Sequence, residues 1–290
     1  MKLLITGTNG FLGRNLKEFF LKKDFEISTP KRQQLNLLDS SLVEDYINEN
    51  NFDVVIHSSV TLDSIDENLK MYFNLEKLSN KYGKLICIGS GAEFNSKYYE
   101  PKMKEEYFGK HMPDKSDIYG YSKFVIAKDI LKKKRNIFNL RVFGIFGKYE
   151  DYRRRFISNN ICRLLINENI SINKNMFFDY LYVDDFLKIM ELFILSTPKH
   201  STYNTCTGKK IDLLTIAKIL NEIDGRNKDI FIKNEGTNKE YTGENSRLIN
   251  EFNEIKFTDP EKSILNLYNW YKNESKLIFD KNIFDKWIKN

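Results

Sequence analysis

Two side chains able to move a proton stand four apart in Asp117-Ile118-Tyr119-Gly120-Tyr121-Ser122-Lys123, a spacing that puts Tyr119 and Lys123 on one face of a helix. A free phenol titrates at about 10, so proton exchange at neutral pH needs a nearby cation to stabilise the phenolate. Lys123 supplies that charge. Tyr121 has Val125 at the same spacing and so lacks a cationic partner. A Tyr-x-x-x-Lys pair alone arises often by chance as surface chemistry, and its weight comes from what stands with it. Ser90 follows the apolar run Leu85 to Ile88, at the strand end where open α/β sheets place their ligands. Its hydroxyl can donate to a carbonyl oxygen. A serine between two glycines also reads as a plain turn, a reading that weakens when serine, tyrosine, lysine and a glycine loop occur together. Asn68, in the preceding helical stretch, is a weaker candidate for orienting the site through backbone and water.

The glycine loop is Thr6-Gly7-Thr8-Asn9-Gly10-Phe11-Leu12-Gly13, set between an apolar strand and an amphipathic helix. Gly7 permits the tight turn, Gly10 lets backbone amides approach a pyrophosphate, and Gly13 lets the helix pack close on the strand. Ordinary turn chemistry is the alternative, and the position between strand and helix argues against it. The next strand, Glu26 to Thr29, runs into Pro30-Lys31-Arg32 rather than into the acidic residue that would bind an NAD ribose. A guanidinium there can pair with a 2′-phosphate, so NADP(H) is the expected cofactor. Arg32 is the main contact, with Lys31 or Arg14 as possible helpers.

Strand-length apolar runs at Lys2 to Ile5, Val54 to His57 and Leu85 to Ile88 alternate with helical patterns at Leu12 to Phe20, Ser41 to Ile47 and Asn68 to Leu78. Near-continuous apolar strands are buried on both faces of a parallel sheet. The pattern predicts an α/β fold: a Rossmann-type doubly wound parallel sheet with a smaller C-terminal α/β substrate domain. A helix from Tyr119 to Leu131 and a strand from Asn139 to Phe146 complete the first part. The expected division is residues 1–148 plus 179–204 for the dinucleotide region and 149–178 plus 205–290 for the substrate region. A strand-like Phe177 to Val183 links them, and Tyr203 to Thr205 returns to the main sheet.

At 290 residues the chain can bury a large core, and no apolar run reaches the roughly 20 residues of a membrane helix. Met1 to Thr6 reads as a first strand rather than a signal segment, so a cytoplasmic location is expected. Cys87, Cys162 and Cys206 are odd in number and scattered, which disfavours disulfides, and no metal-ligand spacing occurs. The net charge of +6 is modest and acidic residues are interleaved, so an anionic small molecule fits better than nucleic acid. The basic run Lys132 to Arg135 reads as a solvated helix end.

Taken in order, TGTNGFLG, VVIHSS, ICIGSGAEF, YGYSK, RVFGIFG and YLYVDDF resemble extended short-chain dehydrogenase/reductases, the NAD-dependent epimerase/dehydratase kind, across most of the chain. Arg32 with Leu35-Asn36-Leu37-Leu38-Asp39-Ser40 is similar to the GDP-fucose synthase subgroup, which reduces 4-keto nucleotide sugars with NADPH. The resemblance implies a Ser90, Tyr119, Lys123 triad, Leu37 against the adenine, and His57 as a packed residue of the fourth-strand motif. Residues expected at the cofactor are Gly7, Asn9, Gly10, Phe11, Leu12, Gly13, Arg32, Asn36, Leu37, Ser58, Ser59, Tyr119, Lys123 and Val142. A homodimer through the Tyr119 helix and its neighbour is the family's habit.

Departures from the subgroup narrow the chemistry. Ala92 stands where a cysteine is needed for epimerisation, and His57, His111 and His200 all lie away from the Phe156 region where the matching histidine would fall. Gly91 and Ala92 replace the acidic pair of the dehydratases, although Glu93 follows. Phe178 precedes Asp179 where relatives commonly carry an arginine, so a diphosphate must find other cations: Arg153, Arg154 and Arg155, or Arg247. Residues expected at a nucleotide-diphosphate sugar are therefore Gly91, Ala92, Gly144, Arg154, Arg155 and Arg247. The expected reaction is NADPH-dependent reduction at carbon 4 of a 4-keto-6-deoxy sugar for surface polysaccharide. A 4-epimerase of the same fold is the first alternative, and a silent NADP-binding scaffold the second.

Overall fold

The computed structural model describes residues 1–133 and 136–274. Strands β1 (Lys2–Thr6), β2 (Glu26–Ser28), β3 (Val54–His57), β4 (Lys84–Ser90) and β5 (Ile137–Val142) alternate with helices α1 (Phe11–Phe20), α2 (Ser40–Asn50), α3 (Ile65–Glu76) and α4 (Ile118–Lys132). The helices start where side chains can satisfy free amides: Asp39 accepts from Ser41 and Leu42 at 3.1 Å, and Ser64 accepts from Glu67 at 3.1 Å. Then come β6 (Gly144–Phe146), α5 (Phe156–Leu165), β7 (Ile170–Asn175), β8 (Phe177–Phe178), β9 (Tyr180–Tyr182), α6 (Val183–Leu195) and β10 (Thr202–Thr205). The rest comprises β11 (Ile211–Asp212), α7 (Leu213–Asp224), β12 (Ile230–Thr237), α8 (Ser246–Glu251) and α9 (Pro260–Asn273).

The main sheet has six strands in the order β10-β5-β4-β3-β1-β2, every neighbouring pair parallel. This is the Rossmann-type doubly wound arrangement, with its topological switch between β1 and β3. One apolar core joins the sheet to α1 and α6, and a second joins it to α2, α3 and α4. A third core gathers α5, α7 and α9 around the β7–β12 pair. Leu248 and Phe252, from the stretch expected with the smaller region, pack instead in the first core beside the main sheet.

Three expectations change in detail. His57 ends the third strand, not the fourth, because residues 31–34 close a turn, with Gln34 N donating to Lys31 O at 2.9 Å, and no strand forms between β2 and Val54. The run expected as one strand to Phe146 breaks at Phe143, and β6 leaves the sheet to pair in parallel with β9. The expected strand from Phe177 likewise splits at Asp179, whose amide donates to Tyr241 O at 3.1 Å and whose carbonyl accepts from Gly144 N at 3.0 Å. Basic residues Lys132 and Lys133 do close α4, while residues 134 and 135 lie outside the described residues.

Glu150 is buried against α5, where the Ser158 hydroxyl donates to it, and burial raises its carboxyl from the ordinary 4.5 to about 8. Between those values the folded chain keeps a proton that the unfolded chain has lost. The stabilising contribution is therefore full below the unfolded value and disappears as pH rises through about 8. Thermal unfolding of wild type and Glu150→Gln at pH 5 and pH 8.5 should show a larger loss of Tm at high pH for the wild type. Parallel changes in the two proteins would contradict this.

Candidate active site

The C-terminal ends of the sheet strands open into a cavity of about 1110 Å³. Its first wall is the loop after β1. Gly7 has φ +71, and a Cβ on Gly13 would fall 2.1 Å from Gly7 O, so neither position accepts a side chain without rearrangement. Ser58, after β3, clips the loop from below, its hydroxyl donating to Thr6 O at 2.5 Å and its amide to Thr6 Oγ1 at 3.3 Å. The start of α1 has no acidic residue in its first turn, and Phe11, Leu12 and Gly13 line the cavity with Asn9 and Gly10. Free amides and the helix dipole make such a terminus an anion site.

Lys31 and Arg32 border the same wall, both exposed and with no hydrogen-bond or ion-pair partner of their charged groups among the described residues. Leu35 and Leu37 give it an apolar floor, fixed from behind by Asn74 Nδ2 donating to Leu37 O at 2.8 Å. Two expected contacts fall elsewhere. Asn36 turns back to accept from Leu38 N at 3.2 Å and does not border the cavity. Arg14 stacks 3.6 Å from the Tyr149 ring centre and pairs with Glu18 at 3.5 Å, so it is spoken for. These features, a tight glycine turn and an acid-free helix start with an unpaired guanidinium beyond β2, fit a nicotinamide dinucleotide.

Ser90, Tyr119 and Lys123 line the middle of the cavity together, with Val142, Ser58 and Ser59 beside them. α4 is brought to the Ser90 turn by Asp117, which accepts from Gly120 N at 2.9 Å, and by Gly120 itself. A Cβ there would stand 2.7 Å from Ala92 O. Lys123 is buried, its ammonium donating to Ile88 O at 2.6 Å and lying 5.8 Å from the Tyr119 ring centre. Tyr121 does not border the cavity. Asn68 clamps the loop above, donating to Thr61 O at 2.8 Å and to Ser122 Oγ at 3.1 Å. His57 Nδ1 lies 3.2 Å from Thr6 Oγ1, and burial, helped by the Lys123 charge, pushes it down to about 3. It is a neutral, packed imidazole at neutral pH.

Glu93 points away from the cavity. Its carboxylate accepts from Ser90 N at 2.9 Å, Asn139 Nδ2 at 3.1 Å and Arg141 Nε at 2.7 Å, with no exposed side-chain surface. Ala92 faces the cavity in its stead, and Gly91 is covered by Tyr241. Gly144, Arg154 and Arg155 also line the cavity. Arg154 and Arg155 form no hydrogen bond or ion pair through their guanidinium groups among the described residues, whereas Arg153 is tied to Asp151 at 2.8 Å. Arg247 is not at the site: it donates to Thr202 O at 3.0 Å and to Glu106 at 2.7 Å around a separate surface hollow. Residues that the sequence reading missed include Tyr99, Phe178, Tyr180 and Tyr241, which form an aromatic wall, Phe178 stacking on Tyr180 at 5.0 Å. No cluster able to hold a metal occurs among the described residues, and the three cysteines are buried and unpaired. No helix among them is long and apolar enough to cross a membrane.

The chain is similar to several known proteins. GDP-L-colitose synthase of Yersinia pseudotuberculosis is 22% identical over 170 residues, covering 52% of this chain and only 55% of that protein. GDP-6-deoxy-D-talose 4-dehydrogenase of Aggregatibacter actinomycetemcomitans is also 22% identical, over 92% of this chain and 97% of its own length. Among solved structures, a GDP-mannoheptose C4 reductase of Campylobacter jejuni with NADP bound superposes with a TM-score of 0.81 at 19% identity, covering 94% of this chain and 98% of that one. Residues 3–206 match the NAD dependent epimerase/dehydratase family, and the chain belongs to that family.

Proposed function

We propose that this protein reduces carbon 4 of a nucleotide-diphosphate 4-keto-6-deoxy sugar with NADPH, without epimerising the neighbouring carbons, as a step toward surface polysaccharide. The observation that carries the reading is the set of groups that line one cavity: Ser90, Tyr119 and Lys123 together with Arg32, Arg154 and Arg155, whose guanidinium groups have no hydrogen-bond or ion-pair partner among the described residues. A bound nicotinamide dinucleotide supplies a hydride to the carbonyl carbon. Ser90 donates to the carbonyl oxygen, Tyr119 delivers the proton that makes it a hydroxyl, and the Lys123 charge eases loss of that proton from the phenol. Arg154 and Arg155 are the residues suited to a diphosphate. The names of the dehydrogenase and reductase relatives, both redox enzymes at position 4 of GDP-linked sugars, support the same reaction class. Exposed Phe73 on α3 and Leu131 on α4 support a homodimer through those helices.

The Arg32 contact is tested by binding. Wild type should hold NADPH more tightly than NADH, and Arg32→Ala should reduce that preference by about 10- to 100-fold, the range for a hydrogen bond to a charged group. Equal affinities in the wild type would remove the argument.

Proton delivery is tested by turnover. Tyr119→Phe should lower kcat by about 10²- to 10⁴-fold while leaving NADPH affinity nearly unchanged, and Tyr121→Phe should be mild. A more damaging Tyr121 change would show that the wrong phenol has been chosen.

Retention of the flanking carbons is tested in deuterated water. Exchange beside the ketone needs a base and an acid within hydrogen-bonding reach, and Ala92 and the inward-held Glu93 provide neither. The product should carry no enzyme-dependent deuterium at carbon 3 or carbon 5, with one NADPH consumed per turnover. Deuterium incorporation would argue for a synthase that also epimerises, and turnover without NADPH consumption for a 4-epimerase.

A further inference from the structure

We infer that Asn15 and Arg14, on the helix that opens at the glycine loop, are positioning residues for Arg154 and Arg155: they fix the turn from which those two guanidinium groups are presented to a substrate diphosphate. The inference rests on the reading of Arg154 and Arg155 given above and adds to it two residues that do not border the cavity.

Arg154 and Arg155 lie between β6 and α5, outside any strand or helix, so the backbone that carries them needs another fixture. The chain leaves β6 and bends at Tyr149 with φ +72. That left-handed conformation is uncommon for a residue with a side chain and persists where the surroundings impose it. α1 supplies those surroundings. Asn15 is fully buried, and its side-chain amide donates to Lys148 O at 2.8 Å and to Phe11 O at 2.9 Å. The Arg14 guanidinium lies 3.6 Å from the centre of the Tyr149 ring, and Trp270 meets the same ring edge-on at 5.1 Å. Glu18, one helical turn on, pairs with Arg14 at 3.5 Å and with Lys148 Nζ at 3.4 Å.

From that anchored turn the path to the arginines is short and hydrogen-bonded along its length. Glu150 N donates to Gly147 O at 3.4 Å, and the Glu150 carboxyl accepts from the Ser158 hydroxyl on α5. Arg154 N and Arg155 N both donate to Asp151 O, at 3.0 and 3.1 Å, and Arg155 O accepts from Asn159 N at 2.8 Å as α5 begins. The segment is thus held at two ends, by α1 behind Lys148 and Tyr149 and by α5 behind Glu150 and Arg155. Two long side chains grip an anion most tightly when their backbone is already ordered before the ligand arrives. Without the Asn15 amide the Lys148 carbonyl loses a buried donor, the turn loosens, and the cost of ordering it passes to the substrate. Phe11 and Leu12 of the same helix line the cavity, so α1 sets one frame for the dinucleotide and for the arginines.

The test is steady-state kinetics on the full chain, with NADPH and a 4-keto nucleotide sugar that the wild type reduces. Asn15→Leu keeps much the same volume and removes both donors. It should raise KM for the nucleotide sugar by about 5- to 100-fold, the range for a buried acceptor left unsatisfied, with kcat and NADPH affinity little changed. Arg14→Met, a surface change that leaves the fold intact, should raise the same KM by about 2- to 5-fold, the range for an exposed cation–π contact. In an Arg154→Ala/Arg155→Ala background neither change should raise KM further. An unchanged KM in Arg14→Met and Asn15→Leu, or an equal rise with and without the arginines, would overturn the inference. So would a loss of kcat or NADPH affinity as large as the rise in KM. Should Asn15→Leu fail to fold, Arg14→Met decides by the same criteria. An Arg154→Ala/Arg155→Ala variant with unchanged KM would remove the diphosphate reading and this inference with it, as would a wild type that reduces no 4-keto sugar of a CDP, GDP, UDP and dTDP panel. A raised KM in that variant beside unimpaired Asn15→Leu and Arg14→Met removes this inference alone.

Discussion

Glu93 and Arg141 share a hydrogen bond of 2.7 Å with neither side chain exposed, and the placement of Ser90 depends on that pair. Taking two ions out of water costs several kcal/mol each, and their attraction repays it only when the remaining polar groups are satisfied as well. Here Asn139 and the Ser90 amide bind the carboxylate and Asn204 binds the guanidinium Nη1 at 3.1 Å, while Nη2 has no hydrogen-bond partner among the described residues and the guanidinium lies 4.6 Å from the centre of the Phe94 ring and 5.0 Å from that of Phe108. The partners come from β5 and β10, so a three-residue turn after β4 is fastened to two neighbouring strands. Losing one member would strand a buried charge, a cost of about 3–5 kcal/mol, against a total stability of about 5–15 kcal/mol for a typical domain.

The other half of the arrangement around Ser90 is a steric matter. α4 can lie against the anchored turn only because position 120 has no side chain, and the Asp117 cap fixes where the helix begins. Tyr119 and Lys123 then share a face by helical spacing alone, and Lys123 is held at depth by the carbonyl of Ile88. The distance between serine, phenol and ammonium is thus set within one rigid layer of sheet and helix.

Whatever the chain encodes through local spacing was legible in its sequence. The glycine loop, the Tyr119–Lys123 pair, Ser90 at a strand end and Arg32 beyond the second strand all depend on neighbours within a few residues, and the cavity gathers them. What depended on long-range packing was not legible. Glu93 sits one residue past Ala92, and only the turn geometry decides that it faces Arg141. Arg14 and Arg247 look like free cations until Tyr149 and Glu106 are placed beside them. Tyr241 stands in a charged tail with no motif around it, and Tyr99 is more than a hundred residues away from it; no spacing rule could have joined the two. The break at Phe143 was hidden for the same reason, since β6 leaves the sheet for a partner nearly forty residues on.

The cavity is built by two authorships. Loops and strand ends of the six-stranded sheet supply the dinucleotide wall, the serine, the phenol and the ammonium, whereas Phe178, Tyr180, Arg154 and Arg155 come from segments that leave that sheet. Phe178 marks the division most plainly: it stacks on Tyr180 as an aromatic shelf, whereas the guanidinium groups of Arg154 and Arg155 come from a different loop. Substitutions in those short segments can therefore reshape their part of the cleft while the sheet that carries Ser90 and the helix that carries Tyr119 and Lys123 stay as they are.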